Sequence, residues 1–263
     1  MMKMPEVTAR GEPVTPRPEW LICAPRDAAS GLAGIAPLDL LWSRGMYCYR
    51  ALPRTDLLER TPLYKQLCVY VVVRAPTGHT LVYRRRGKGE GEQRLAGKYS
   101  LGVGGHVEYR DLTTAAATAG DDGDFDNVPG NSFMLSRGAL TLTLGAAATR
   151  ELREELALDD QEIAVTGRLT FDGMIYSNAD KVGEVHLGIL ATYWLPEQVS
   201  WARVRVSAGV ETRWLLDEDL LAFESAAMED WSRRIVELKR EANLMQQPQA
   251  TDAGLLAAGG VVC

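Results

Sequence analysis

The stretch GAAATRELREELAL, residues 145–158, decides how this chain is read. Glu151, Glu154 and Glu155 stand at positions i, i+3 and i+4, which are neighbours on a helix surface. At about 100° per residue they fill a sector about 100° wide. Ala148, Leu152 and Leu156 form the adjoining sector, so the spacing predicts a helix over 145–157 whose carboxylates sit at the rim of its buried face. Like charges at i,i+4 cost a few tenths of a kcal/mol on an open surface, and the cost grows with burial. A hard cation reverses it, since Mg²⁺ takes carboxylate oxygens, keeps several waters and shares its sphere with substrate phosphates. The plainer alternative is a solvated face on which Arg150 pairs with Glu154.

Working outward, Leu67–Arg74 (LCVYVVVR) reads as a strand buried on both faces. Thr77-Gly78-His79 turns the chain and Thr80–Arg84 returns it as a hairpin. Further strands are expected at Trp20–Ala24, Tyr99–Val103, Ile163–Asp172 and Val185–Trp194. Helices are expected from about Leu216 and over about Met228–Leu244. Strands, one helix, more strands and then helices argue for an α/β sandwich around a mixed sheet rather than a doubly wound fold. Residues 1–18 are Pro-rich and polar and read as a loose arm. Residues 19–244 read as one domain, and 245–263 as a low-complexity tail. The small, acidic run inside about 112–142 breaks the pattern and reads as an insertion. Its DDGDFDN has neither the spacing nor the closing Glu of an EF-hand, so it reads as solvated loop.

The chain has 263 residues, 46% of them hydrophobic, which is enough for a sizeable core. A net charge of −6 with no basic block argues against bulk nucleic acid as a partner. No run of about 18 apolar residues suggests a membrane span. Cys23, Cys48, Cys68 and Cys263 form no CxxC pair, so neither a zinc knuckle nor a disulfide framework is expected. A reducing cytoplasm is the simplest location.

Arg150-Glu151-Leu152-Arg153-Glu154-Glu155-Leu156-Ala157-Leu158, preceded by a strand ending in Gly104-Gly105, resembles the signature of the Nudix hydrolases, G-x5-E-x7-R-E-U-x-E-E-x-G-U. Ala157 stands where that family has Gly. The first half matches at Gly105, and its Glu position holds Asp111. The arginine then falls at position 150 rather than 119, so the signature is split by the expected insertion. Glu108 is the alternative to Asp111, and counting does not choose between them. A split is tolerable because loop closure costs only about 0.6 kcal/mol per doubling of length. Gln66–Arg74, Arg94-Leu95, Ser100–His106 and Glu184–Gly188 are similar to a bacterial branch, the predicted MutT-like phosphoesterases.

The resemblance implies an α/β/α sandwich with a mixed central sheet. It implies a Mg²⁺- or Mn²⁺-dependent hydrolase that cleaves a pyrophosphate bond in a nucleoside diphosphate linked to another moiety. Glu154 and Glu155 would hold the ion, and Glu151 would be a ligand or the general base. Gly105 and Asp111 would complete the metal site, and Arg150 would hold the carboxylates. Among the cations of loop 84–98, Arg94 is the choice for binding substrate, and His106, which follows the Gly pair, is the second substrate-binding candidate. His186 and Tyr176 read as core residues by default. Homodimers are frequent in the family. A catalytically impaired nucleotide sensor is the rival reading, supported by Asp111, Ala157 and the split.

Overall fold

A computed structural model describes residues 19–29, 31–43, 48–61, 63–86, 95–112, 132–156, 168–207 and 209–246. In chain order the strands are β1 (Trp20–Pro25), β2 (Gly34–Ala36), β3 (Cys48–Pro53), β4 (Tyr64–Arg74), β5 (Thr80–Arg85), β6 (Tyr99–Ser100), β7 (Gly102–Val103), β8 (Ser132–Met134), β9 (Arg168–Tyr176), β10 (His186–Trp194) and β11 (Gly209–Leu215). The helices are α1 (Leu40–Ser43), α2 (Arg137–Glu155), α3 (Lys181–Val185), α4 (Asp217–Ala222) and α5 (Asp230–Gln246).

The strands form one mixed sheet, with the path β2-β9-β10-β4-β1-β3-β8 and with β5, β6, β7 and β11 branching from it. β4 and β10 pair in parallel from His186↔Gln66 to Trp194↔Arg74. The period of two along β4 builds both cores. Leu67, Val69, Val71 and Val73 point to one face, where Leu140, Leu144, Ala147, Ala148 and Leu152 of α2 cover them. Tyr70 and Val72 point to the other face, where Leu220, Ile235 and Val236 of α4 and α5 pack. The result is the α/β/α sandwich expected from the sequence.

Several boundaries differ from those expected. The carboxylate helix begins at Arg137 rather than Gly145, capped by the Ser136 hydroxyl, which accepts from the Ala139 N–H at 3.1 Å. Its first turns carry a Thr-Leu alternation, and the hydroxyls of Thr141 and Thr143 donate to the carbonyls of Arg137 and Ala139 one turn back. Ser132–Met134, inside the expected insertion, pairs with β3, and residues 113–131 lie outside the described residues. Tyr99–Val103 is two short strands, because the chain crosses from pairing with β5 to pairing with β4. The strand expected at Ile163–Asp172 runs Arg168–Tyr176 among the described residues. The strand expected from Val185 starts at His186, after the short helix α3, which Asp180 caps. The arm 1–18 and residues 247–263 of the tail lie outside the described residues.

Gly104 is where the chain most needs glycine. Its φ is +152°, and a Cβ there would stand 2.0 Å from the Val69 carbonyl oxygen, which belongs to the central strand. Gly104→Ala is expected to cost at least about 3 kcal/mol by chemical denaturation, because backbone must move. Gly145→Ala, in a helix interior with nothing within 4 Å of the new Cβ, should instead add up to about 1 kcal/mol. Equal effects at the two glycines would contradict this placement.

Candidate active site

The last turns of α2 carry the carboxylates to the end of the sheet where the Gly104-Gly105 segment passes. Leu140, Leu144, Ala147, Ala148 and Glu151 share the buried stripe of α2. Glu151 therefore enters the core side of the helix, with only 8% of its surface exposed. Gly105 makes room for it: a Cβ on that residue would lie 2.6 Å from Glu151 Oε1. Glu154 is half exposed. Glu155 is partly buried and its Oε2 accepts from the Ser207 hydroxyl at 2.7 Å.

Arg150 organises the rest. Its Nε and one terminal nitrogen donate to both oxygens of Asp111, at 2.9 and 2.8 Å. The same terminal nitrogen donates to the His106 carbonyl at 2.8 Å, and the other donates to Glu151 Oε1 at 2.6 Å. Glu108 and Glu154 lie 3.5 and 3.6 Å from the guanidinium. Burial alone would lower the Arg150 pKa, but the hydrogen bonds and charges of Asp111 and Glu151 outweigh it and hold it well above the ordinary value.

The geometry separates the two candidates for the first half. Asp111 is buried, has both oxygens on Arg150, and accepts the Glu108 N–H at 2.8 Å. Glu108 lines the cavity beside Glu151, Glu154 and Glu155. Asp111 thus stands behind the arginine, and Glu108 faces the open space.

Burial pushes the Glu151 carboxyl up to about 7; Arg150 opposes this, and the charges of Glu154 and Glu155 add to it. The sign of the linkage follows. A folded-state pKa above the ordinary 4.5 means that the folded chain holds the proton longer than the unfolded chain between about pH 4.5 and 7. The contribution of Glu151 to stability is full below that window and is lost as pH rises through it, by at most about 3 kcal/mol. A divalent ion competes with the same proton. Saturating Mg²⁺ should therefore raise the thermal midpoint more at about pH 8 than at about pH 5. An increase that is equal at both, read by differential scanning calorimetry, would remove Glu151 from the ion's surroundings.

The carboxylates open onto a cavity of about 1420 Å³. Its other walls carry Arg54, Arg60, Arg85 and Lys181. Of these only Arg85 belongs to the loop singled out from the sequence. Arg94 lies outside the described residues. Arg54 precedes and Arg60 ends a short 3₁₀ turn, Leu58–Arg60, and nothing local in the sequence marks them. His106 also lines the cavity, but its Nε2 lies 3.1 Å from Nε2 of His186. Burial, then the charges of His186, Arg54 and Arg150, lower the His106 pKa to about 3. Tyr176 packs under the buried Lys65 ammonium, 4.4 Å from ring centre to Nζ.

The donor set suits a hard divalent ion. Glu151, Glu154 and Glu155 all line the cavity beside the glycine segment; their oxygens are not drawn together, and Glu154 is exposed enough to swing toward an ion.

No protein-family profile matches the sequence. YmaB of Bacillus subtilis (strain 168) is 27% identical over 191 residues, which span 72% of this chain and 78% of that protein. The crystal structure of Tm1382, provisionally described as a Nudix hydrolase, superposes with a TM-score of 0.54. It covers 85% of this chain and 99% of its own, at 20% identity. The chain has the Nudix fold. The glycine segment and the carboxylate helix form one unit here although some forty residues separate His106 from Arg150. Among the described residues no helix of this Nudix-fold chain is long and apolar enough to cross a membrane.

Proposed function

We propose that the chain is a divalent-metal-dependent pyrophosphohydrolase acting on a nucleoside diphosphate linked to another moiety. The observation that carries this reading is the placement of Glu151. It is buried against Gly105, poised near neutral pH, and opens onto a cavity lined by further carboxylates and by Arg54, Arg60, Arg85 and Lys181. The cations match a polyphosphate, since guanidinium groups bind phosphate oxygens by paired, charge-assisted hydrogen bonds.

In this reading Glu154 and Glu155 hold Mg²⁺ or Mn²⁺, with Glu108 in place of Asp111 as the nearest further carboxylate. When bound, the ion neutralises phosphate charge and lowers the pKa of water. Glu151 accepts a proton from the attacking water, a task suited to a group that titrates near the working pH. A new P–O bond forms from that water, the bridging P–O bond breaks, and the leaving phosphate departs as an anion toward the basic wall. Arg150 and Asp111 act as positioning residues, because both oxygens of Asp111 are taken by the guanidinium. The Gly105 carbonyl accepts the Val69 N–H at 2.9 Å and keeps a second lone pair for the ion, while the absence of a Cβ leaves space for Glu151. The reading extends to a cytoplasmic protein that meets a small nucleotide-type substrate rather than nucleic acid, as a monomer or homodimer.

The test is a hydrolysis screen over nucleoside triphosphates, nucleotide sugars, ADP-ribose and dinucleoside polyphosphates, with Mg²⁺ or Mn²⁺ and with chelator. Metal-dependent release of a phosphate-bearing product is expected. Nucleotide binding without turnover on any of them would leave a sensor in place of the enzyme.

A further inference from the structure

A second set of ligand-type side chains sits in the same cleft, distinct from the carboxylates that carry the hydrolase reading. Cys68 lies on β4 and His186 opens β10. Because β4 and β10 pair in parallel, with His186 opposite Gln66 and Gly188 opposite Cys68, the two side chains emerge on the same face of the sheet, the one that α5 covers. His106 comes from the glycine segment, which pairs with β4 by an antiparallel bridge directly at Cys68. Three distant parts of the chain are thus brought to one point. Cys68 Sγ and one nitrogen from each ring all lie within 4.8 Å of one another. They are the one such trio among the described residues.

The ring geometry points the same way. His186 Nδ1 is 2.7 Å from the Val182 carbonyl. A carbonyl only accepts, so Nδ1 carries the proton and the neutral ring presents a lone pair at Nε2. Orientation of a ligating histidine by a backbone carbonyl on its other nitrogen is the usual arrangement at metal sites. Nε2 of His106 meets that lone pair at 3.1 Å. This is close to the roughly 3.3 Å between two nitrogens of a tetrahedral ion with metal–nitrogen bonds of about 2.0–2.1 Å. A hydrogen bond between the rings accounts for the two histidines, but not for a thiol in the same set.

We propose that Cys68, His106 and His186 form a zinc site, separate from the carboxylate site for Mg²⁺ or Mn²⁺. One thiolate and two imidazoles select a borderline-soft ion such as Zn²⁺, whereas carboxylate oxygens select hard ones. Three protein ligands leave a fourth position, and both histidines line the cavity, so that position faces the cleft and takes water. Binding converts the Cys68 thiol to thiolate and releases its proton to solvent.

The test uses the full chain, stripped with chelator and titrated with Co²⁺ as the probe. About one equivalent should produce a thiolate-to-cobalt band in the near ultraviolet with strong tetrahedral visible absorption, and Zn²⁺ should displace it. Cys68→Ser should abolish the near-ultraviolet band and weaken Zn²⁺ binding by at least about tenfold. Cys23→Ser, at a buried cysteine outside the trio, should keep both. Glu154→Gln should also keep both, so the fate of this site is read independently of the hydrolase reading. Should Cys68→Ser not fold, X-ray absorption at the zinc edge of the loaded unmodified protein decides the matter, with one sulfur expected in the ion's shell. The proposal is overturned by absence of the thiolate band together with a zinc shell that contains no sulfur. It is equally overturned by a band that persists in folded Cys68→Ser, or by Zn²⁺ binding that disappears in Glu154→Gln.

Discussion

Glu151→Gln is expected to lower kcat by about 10²–10⁴-fold while leaving the chain folded. Glutamine keeps the shape of the side chain and can still accept from Arg150, but it cannot take a proton from water. Burial has moved the carboxyl of Glu151 up to about 7, so the rate of the parent enzyme should rise with pH until that group is ionised and then level off. The variant should lose this limb as well as the rate. A structural role alone would not remove a limb from the pH profile. Stability should move the other way: removing a charge that is buried at 8% exposure relieves a desolvation penalty, so the metal-free variant should unfold no earlier than the parent at about pH 8. Gly105→Ala is the complementary change. It intrudes only on the far end of the Glu151 side chain, so activity should fall with little loss of stability. A Glu151→Gln protein that keeps the parent's pH limb would transfer the base to another group, and Glu108 would be the next to test.

What the sequence made legible follows the range of the interactions involved. The central strand was readable because β-branched and apolar residues run without interruption from Leu67 to Val73. The carboxylate helix was readable because its stripe repeats within a few turns. The start of that helix was not, since Thr141, Leu142 and Thr143 alternate like a strand and only their hydroxyl bonds to the preceding turn show otherwise. The strands β2, β3, β8 and β11 escaped for a similar reason: each is defined by its partner in the sheet rather than by its own pattern. The site shows the same division. Glu151, Glu154 and Glu155 were visible from spacing alone. The choice between Asp111 and Glu108 was not, because it depends on a turn in which the Asp111 N–H bonds to the Glu108 carbonyl at 3.0 Å and sends one carboxylate behind the arginine. The contact between His106 and His186 was out of reach as well. It joins residues eighty apart and exists because β4 pairs in parallel with β10 and bridges His106 at Cys68, and no local signal encodes a parallel register.

Arg150→Met should be the most destabilising single change in the site, at about 3–5 kcal/mol. The guanidinium makes four hydrogen bonds to three residues, at 2.6–2.9 Å. Its removal strands Asp111, which is 3% exposed and keeps, among the described residues, only the N–H of Glu108. It also takes from Glu151 the cation it touches and from the His106 carbonyl this donor. Breaking a buried ion pair from one side costs far more than the pair contributes, because the remaining charge has neither water nor partner. That asymmetry gives the prediction its second half. Asp111→Asn removes the stranded charge but retains an oxygen for the Glu108 N–H, so the double variant should recover about 1–3 kcal/mol of the loss. Arg150→Lys should fall between, since one ammonium cannot reproduce the paired geometry on Asp111 and reach Glu151 as well. Activity should not return in the double variant, because Glu151 has lost the contact that fixes its Oε1 beside Gly105. Denaturant titrations of the four proteins at one pH measure the coupling. A single variant that loses less than about 1 kcal/mol would mean that water already reaches Asp111, and the arginine would then be an ornament of the cleft rather than the group that holds its two carboxylates in place.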